Sequence, residues 1–138
     1  MYNKFGQFID GKWKESSSKE TYDVINPATE EIIGKASKAN IADVKKALIS
    51  SEKGLEVWKN TSPWERAKVI RKISELIRKN VDTLAKWLTL EVGKPLTEAA
   101  GEIGGAGDIF EWNSEETKRI YGQSLQSRFP NTRIQIYY

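Results

Sequence analysis

The hydrophobic pattern of this 138-residue chain changes its period near Asn40. Before this point, short runs of β-branched and aromatic residues alternate with turn-forming residues, a pattern typical of strands and hairpins. After it, apolar residues recur every three to four positions as far as about Tyr121, as on one face of a helix. The sequence therefore predicts a mainly α-helical chain, with a small antiparallel β element at 7–36, helices within 41–121 and one strand at the carboxyl end.

The β element is predicted to contain two strand pairs. Asp10-Gly11 separates the first two runs, and this dipeptide suits the positive φ angles of a two-residue hairpin turn. In the second pair, runs at 21–25 and 32–36 lie on either side of Asn26-Pro27, which turns the chain out of helical conformation. We therefore expect two hairpins in succession.

Polar residues mark where three helices begin, at Asn40, Ser62 and Asn80. Ser62 is the strongest signal, because Pro63 suits the first helical position and Glu65 can complete a capping box. In this second helix the apolar residues recur at helical spacing. Its basic residues are therefore expected mainly on a solvated face: Arg66, Lys68, Arg71, Lys72 and Arg78.

Glycines mark where helices are interrupted or end. Gly54 is expected to break the first helix, and Gly93 to end the third in a left-handed conformation, with Pro95 just beyond. Thr97 then opens a long helix that is expected to reach about Tyr121. The sequence thus predicts four successive helical segments.

The stretch 101–107 contains four glycines and raises the question of a phosphate-binding loop. A dinucleotide fingerprint needs a preceding strand and a helix that begins at the glycines, whereas this stretch lies inside a helix-prone segment. Each helical glycine costs about 1 kcal/mol relative to alanine. We therefore interpret these glycines as places where another backbone or a ligand approaches closely.

An acidic run follows in the same helix, formed by Asp108, Glu111, Glu115 and Glu116. Paired carboxylates of a glycosidase would need an aromatic-lined sugar cleft, which Phe110 and Trp112 alone do not provide. Since Lys118-Arg119 follow, we favour charges that complement the helix dipole.

The composition excludes several classes of function. The sequence has no Cys and no His, which removes disulfides, thiolate nucleophiles and the commonest general base and metal ligand. Its 22 basic and 19 acidic residues are interleaved, so we expect no nucleic-acid partner. No apolar run reaches membrane length, so we expect no membrane partner and a cytoplasmic location.

The last residues alternate between polar and apolar, as in a half-buried strand. This strand, at 133–138, is expected after a loop that turns at Pro130-Asn131. The sequence stops within the strand, without a polar tail that would protect its edge. We interpret this as an interrupted polypeptide.

Four motifs occur in the order and spacing found at the start of the aldehyde dehydrogenase superfamily, which the chain resembles. They are Phe8-Ile9-Asp10-Gly11-Lys12-Trp13, Asn26-Pro27-Ala28-Thr29, Trp64-Glu65-Arg66-Ala67 and Thr89-Leu90-Glu91-Val92-Gly93-Lys94-Pro95. The stretch 110–122 is similar to the succinate-semialdehyde dehydrogenase branch in particular. The resemblance extends from about Phe8 to Tyr138.

The resemblance implies an α/β parent fold. Residues 1–122 would form the amino-terminal part of the NAD(P)-binding domain, and 123–138 the start of a truncated oligomerisation ribbon. The parent enzyme would oxidise succinate semialdehyde or a similar aldehyde with NAD or NADP, using a Cys nucleophile, an Asn oxyanion donor and a Glu base further along the polypeptide. We therefore assign no catalytic or cofactor-binding residue here and expect this segment to be inactive, without bound cofactor. Its expected partners are the remainder of the dehydrogenase chain and other subunits.

The resemblance also implies two lesser sites. The carbonyl of Val24 and the carboxylate of Glu91 match ligands of a monovalent cation, the alternative being that neighbouring backbone satisfies Glu91. Gly101 and Gly105 match the wall of the aldehyde tunnel. Relatives often have tyrosine at the position of Gly105, which leaves open a wider tunnel, a different substrate or a sequence under relaxed constraint.

A second hypothesis belongs to a different class of protein. The apolar stripes that include Trp87, Leu88, Ile109 and Trp112 would also suit a stand-alone helical module that binds another protein without catalysis. The unfinished strand at Tyr138 favours the dehydrogenase segment.

Overall fold

The computed structural model describes residues 6–138, so the first five residues of the predicted domain 1–122 lie outside it. In the described range, three antiparallel strand pairs accompany four α-helices. The strands are β1 (Gln7–Ile9), β2 (Lys12–Lys14), β3 (Thr21–Ile25), β4 (Ile32–Ser37), β5 (Gln123–Gln126) and β6 (Arg133–Ile136). The helices are α1 (Ile41–Lys59), α2 (Pro63–Lys79), α3 (Val81–Val92) and α4 (Leu96–Glu116).

The two predicted hairpins at the amino end are confirmed. Asp10 and Gly11 have φ angles of 58° and 70°, which are the left-handed values that a two-residue hairpin turn requires. Phe8 pairs with Trp13 across β1 and β2, and their ring centroids lie 5.2 Å apart. In the second hairpin, β3 pairs with β4 with an irregularity between Val24 and Ile25.

Two of the three predicted helix caps are confirmed. Asn40 closes a complete capping box with Asp43 at the start of α1. Ser62 Oγ accepts a hydrogen bond from the Glu65 N–H at 3.3 Å, while the Glu65 carboxylate accepts from Lys68 Nζ. Helix α3 does begin directly after Asn80, as predicted, but the Asn80 side chain makes no cap bond to α3 and instead donates to the Leu76 carbonyl of α2.

The predicted break at Gly54 was also wrong. Helix α1 runs through Gly54 to Lys59, because one glycine costs only about 1 kcal/mol in a helix of 19 residues with a complete cap. Gly93 does end α3, with a φ of 76°. Helix α4 ends at Glu116 and is followed by a 3-10 turn at Thr117–Arg119, so the regular helix is shorter than predicted.

The carboxyl-terminal strand is confirmed, but it has a partner that the sequence pattern did not indicate. Residues 123–126, expected as part of a loop, form β5 and pair with β6, with Leu125 opposite Ile134. The run Gln-Ser-Leu-Gln contains one apolar residue, too few to show a period. Pairing across the hairpin, rather than local propensity, defines this strand.

Small residues bring α2, α3 and α4 together in a close-packed seam. The buried residues of the three helices are Ala67, Ser74, Ala85, Ala99, Gly107 and Ser114. At the centre, Ser74 Oγ donates a buried hydrogen bond of 2.8 Å to the Gly107 carbonyl. A Cβ atom added at Gly107 would lie 3.1 Å from Cγ of Arg78, so this position leaves no spare room. Hereafter, the helix seam means these six residues.

Large apolar side chains lie mainly on open faces. The chain exposes 10754 Å². Since a compact monomer of 15.7 kDa is expected to expose about 7,300 Å², the excess is about 3,400 Å². Ile109 and Trp112 of α4 are 64% and 70% exposed, and α1 exposes Leu48, Leu55 and Val57. Many large apolar side chains of the described residues are thus left uncovered, as on a surface that contacts other polypeptide.

We predict opposite effects from two glycine substitutions in α4. Gly107→Leu should destabilise the chain by about 1–3 kcal/mol, because its side chain must displace Arg78 and Ile77. Gly104→Ala is the matched control: no atom lies within 4 Å of its added Cβ, so the gain in helix propensity should stabilise by up to about 1 kcal/mol. Urea unfolding followed by circular dichroism would measure both. Equal effects would contradict the close-packed seam.

Candidate functional site

The two predicted cation ligands are close in sequence to a contact between the turn after β3 and the end of α3. Val24 is a half-buried residue of β3, and Glu91 is an exposed residue near the end of α3. The turn after β3 packs against the end of α3, where Pro27 Cγ would lie 3.0 Å from a Cβ added at Gly93. Gly93 thus serves both the left-handed helix end and the close approach of Pro27. Residues 6–138 hold no group of three or more Asp, Glu, His or Cys suited to a metal. A site here would rest on backbone oxygens beside Glu91, and it stays a prediction.

The predicted tunnel residues lie on the open side of α4. No atom outside the helix's own backbone and immediate neighbours lies within 4 Å of a Cβ added at Gly101 or Gly105. Ile109 and Trp112 continue the same face at helical spacing, and both are largely exposed. We call these four residues the open face of α4. The glycines form a recess at one end and the large side chains a raised apolar patch at the other.

The acidic run pairs with the basic residues of α2, which corrects two predictions. Arg71 contacts Glu111 at 3.1 Å and also pairs with Glu115, while Arg78 contacts Asp108 at 2.6 Å and Glu111 at 2.7 Å. These arginines therefore face α4 rather than open solvent, and most of the acids bond across helices rather than only complementing a dipole. Glu116 pairs locally with Arg119. The pattern within either helix could not reveal pairing between the helices.

The ion pairs shift the pKa values of Arg78 and Glu111 toward their charged forms. Hydrogen bonds to Asp108 and Glu111 raise the pKa of Arg78. The hydrogen bond from Arg78 lowers the pKa of Glu111, and the attraction of that guanidinium and of Arg71 adds to the effect against partial desolvation. The five residues Arg71, Arg78, Asp108, Glu111 and Glu115 form what we call the ion-pair ladder. Since Arg78 and Glu111 are both held in their charged forms, the ladder has a structural role and joins α2 to α4.

A second ion pair closes the corner between α3 and α4. Lys94 Nζ bonds to Glu102, which reaches back over the first turns of α4. The hydrogen bond to Glu102 raises the pKa of Lys94, so its ammonium form is stabilised. Lys94 is part of the Gly93-Lys94-Pro95 motif, which therefore has a structural role at this corner.

The buried carboxylate of Asp43, in the first turn of α1, organises the amino end of the described residues. Asp43 accepts hydrogen bonds from Ser16 Oγ at 2.9 Å and from the N–H groups of Ser17 and Asn40 at 3.1 and 3.3 Å. Gln7 Nε2 lies at 3.5 Å. Burial by itself raises the pKa of Asp43, but hydrogen bonds from Ser17, Ser16 and Asn40 outweigh it and lower the pKa to about 2. We call these five residues the Asp43 cage. The signal in the sequence was an acid in a capping box that follows a serine-rich connector.

The described residues offer structural rather than reactive groups. The sequence supplies neither a thiol nor an imidazole, and its conspicuous carboxylates at 43 and 111 are held ionised by hydrogen-bond donors. Within 6–138, no helix is both long enough and apolar enough to span a bilayer. The strongest features of this range are therefore its packed helices and its open apolar faces.

The chain resembles known proteins in both sequence and fold. The model of the aldehyde dehydrogenase family matches residues 13–138, and the chain belongs to that family. It is 41% identical over 127 residues to the glutarate-semialdehyde dehydrogenase of Pseudomonas aeruginosa, which covers 92% of this chain and 26% of that relative. It is 40% identical over 127 residues to the succinate-semialdehyde dehydrogenase [NADP(+)] of Saccharomyces cerevisiae, and the match covers 92% of this chain and 25% of that relative.

Solved structures agree with the assignment. A betaine aldehyde dehydrogenase variant from Staphylococcus aureus, in complex with NAD+, superposes with a TM-score of 0.86 at 29% identity, covering 94% of this chain and 26% of that one. An aldehyde dehydrogenase from Brucella melitensis biovar abortus 2308 superposes with a TM-score of 0.85 at 36% identity, and the match covers 92% of this chain and 26% of that one. The expected family and fold are confirmed, and the chain spans about a quarter of the length of these relatives.

We predict that the ion-pair ladder stabilises the contact between α2 and α4. Glu111→Gln removes the charge shared by Arg71 and Arg78, so the urea midpoint should fall modestly, and the difference from the unmodified chain should shrink as NaCl is raised. Glu75→Gln, which breaks the local pair with Lys72, is the control and should leave the midpoint nearly unchanged. A Glu111 variant indistinguishable from the Glu75 variant would show that the ladder contributes nothing.

Proposed function

We propose that this polypeptide is the amino-terminal quarter of an NAD(P)-dependent semialdehyde dehydrogenase, in which it serves as scaffold and supplies no catalytic group. The complete enzyme would oxidise succinate semialdehyde, glutarate semialdehyde or a similar aldehyde to the acid. The observation that supports this most is the coverage, since relatives about 40% identical match this chain over about a quarter of their length. The relatives' names support both the substrate class and the cofactor.

The division of the chain follows from the same proposal. Residues 1–122 would belong to the NAD(P)-binding domain and 123–138 to the start of the oligomerisation ribbon. The exposed large apolar side chains support this, because a scaffold must cover its open helix faces with other polypeptide. The remainder of the dehydrogenase and neighbouring subunits would supply that cover, and NAD or NADP would bind the complete enzyme rather than this part. A cytoplasmic location stays a prediction.

The chain alone should have no dehydrogenase activity. We expect no NADH or NADPH formation above background when the purified 138-residue chain is given succinate or glutarate semialdehyde with either cofactor, because it has no thiol to attack the aldehyde. Absorbance at the reduced-nicotinamide band would measure this. Aldehyde-dependent turnover by the homogeneous chain would refute the proposal.

A binding experiment tests the scaffold role directly. We expect the chain to associate with the Pseudomonas aeruginosa relative from which the matching segment has been deleted, and Trp112→Lys on the open face of α4 to weaken this association at least tenfold. Thr83→Lys adds the same charge at an exposed polar position of α3 and is the control. Isothermal titration or pull-down with purified components would measure it. A chain that is instead a cooperatively melting monomer without affinity for the deleted enzyme would favour the stand-alone interaction module.

The cation site is part of the same proposal. Val24 and Glu91 would supply a carbonyl and a carboxylate oxygen to a monovalent cation where the turn after β3 meets the end of α3, and oxygen ligands suit such a hard ion. Adding KCl or NaCl to the chain at constant ionic strength, with choline chloride as the balance, should slow amide exchange near Val24, and Glu91→Gln should remove the effect. Glu98→Gln on α4 is the control. If KCl or NaCl slows amide exchange in Glu91→Gln as much as in the unmodified chain, the Glu91 carboxylate is not a ligand of the cation.

A further inference from the structure

The β1–β2 hairpin depends on what it docks against. It contains six paired residues around a two-residue turn, and an isolated hairpin of this size is at best marginally stable in water. Phe8 is 61% exposed, so the aromatic pair buries little of its surface. The helix that β1 packs against is α1. Contacts with the start of α1 must therefore provide much of the stability of the hairpin.

Polar contacts between this hairpin region and α1 converge on one carboxylate. Gln7 belongs to β1, whereas Ser16 and Ser17 belong to the connector that leaves β2, and all three donate to Asp43. Ser16 is itself only 3% exposed. A further bond joins Asn40 Nδ2 to Ser17 Oγ at 2.8 Å, beside the carboxylate. Hydrogen bonds to an ionised acceptor are stronger than those to a neutral one, so the negative charge strengthens the whole group.

We propose that the Asp43 cage is a charge-dependent latch, which holds the β1–β2 hairpin and its serine connector on the amino end of α1 and releases them together when Asp43 is neutralised, while the helix seam stays closed. The separation is possible because the two regions use different contacts. The latch joins β1 and the connector to α1, whereas the seam joins α2, α3 and α4.

Acid should open the latch. The pKa of Asp43 in the folded chain, about 2, is below its ordinary value of 3.8, so the ionised carboxylate stabilises the fold above pH 3.8 and this contribution is lost as the pH falls through about 2. Among the described residues, the basic group that pairs with the carboxylate is Lys46, with Nζ at 3.9 Å. Gln7, Ser16, Ser17 and Asn40 do not titrate. Since Glu111 also has a lowered pKa, acid acts on the ladder as well, and a substitution at neutral pH isolates the latch.

Hydrogen exchange of the 138-residue chain at pH 7 tests the proposal. In Asp43→Asn, the amides of Ser17 and of 7–14 should exchange on the order of tenfold faster or more, because several bonds to one charged acceptor weaken together. The amides of α2 and α4 should keep their rates. Ser16→Ala, which removes one donor and keeps the charge, should give a smaller change in the same region. Glu52→Gln neutralises another carboxylate of α1 and is the control.

Two results would overturn the latch. Unchanged exchange at 7–17 in the Asp43 variant would mean that the hairpin is held by other contacts. Equal acceleration in α2 and α4, or loss of the helical circular dichroism signal, would mean that Asp43 supports the whole fold rather than a separable unit. Acceleration confined to 7–17 and the first turn of α1, graded from Asp43→Asn to Ser16→Ala, supports the proposal.

Discussion

The close approach of α2 and α4 is the contact on which the rest of the arrangement depends. Ser74 and Gly107 meet at its centre through a buried hydrogen bond, and Ala67 of α2 and Ser114 of α4 are also buried. Such small side chains have little apolar area, so the stabilisation comes from dispersion between close backbones and from the buried hydrogen bond. Added volume is costly at this seam, whereas apolar residues elsewhere on the helices stay free to face other polypeptide.

The seam also determines where the charged and open sides of α4 point. Arg78 lies with its Cγ over Gly107 while its guanidinium reaches Asp108 and Glu111, so the missing side chain at 107 makes room for the stem of the arginine. At helical spacing, the acids of the ladder fall between the buried side of α4 and its open face. Packing and ion pairs thus favour the same rotation of α4 about its own axis. In this orientation the open face of α4 points outward, with Gly101, Gly105, Ile109 and Trp112.

Local signals in the sequence were sufficient for most of the fold and insufficient for its long-range contacts. The caps at Asn40 and Ser62, the turn at Asp10-Gly11 and the left-handed end at Gly93 all act within a few residues, and the structure confirms them. The errors have a common cause. Strand β5 forms by pairing with β6, and Arg71 pairs with Glu111, 40 positions away. Neither contact can therefore be predicted from the periodicity of the sequence.

In the candidate site, too, features set by local sequence could be predicted, whereas features set by long-range contacts could not. The exposure of Gly101 and Gly105 follows from helical spacing once α4 has a buried side, and was within reach of the sequence. The importance of Asp43 could not be predicted from the sequence, because it arises from hydrogen-bond donors 26 to 36 residues earlier in the chain. A capping acid looks the same in the sequence whether it serves one helix or also binds a distant connector.

The glycines of α4 meet two different requirements. Gly107 serves the packing of this chain, whereas Gly105 does not. Gly107 is required by the seam, where Arg78 and Ile77 occupy the space of a side chain. Gly105 has an ordinary helical backbone and open space around its Cα, yet it gives up about 1 kcal/mol of helix stability relative to alanine. No contact among residues 6–138 compensates that cost. Under the proposed function, the compensation lies in what covers the open face, so the character of residue 105 is set by the bound aldehyde or by the adjoining polypeptide rather than by the packing of these four helices.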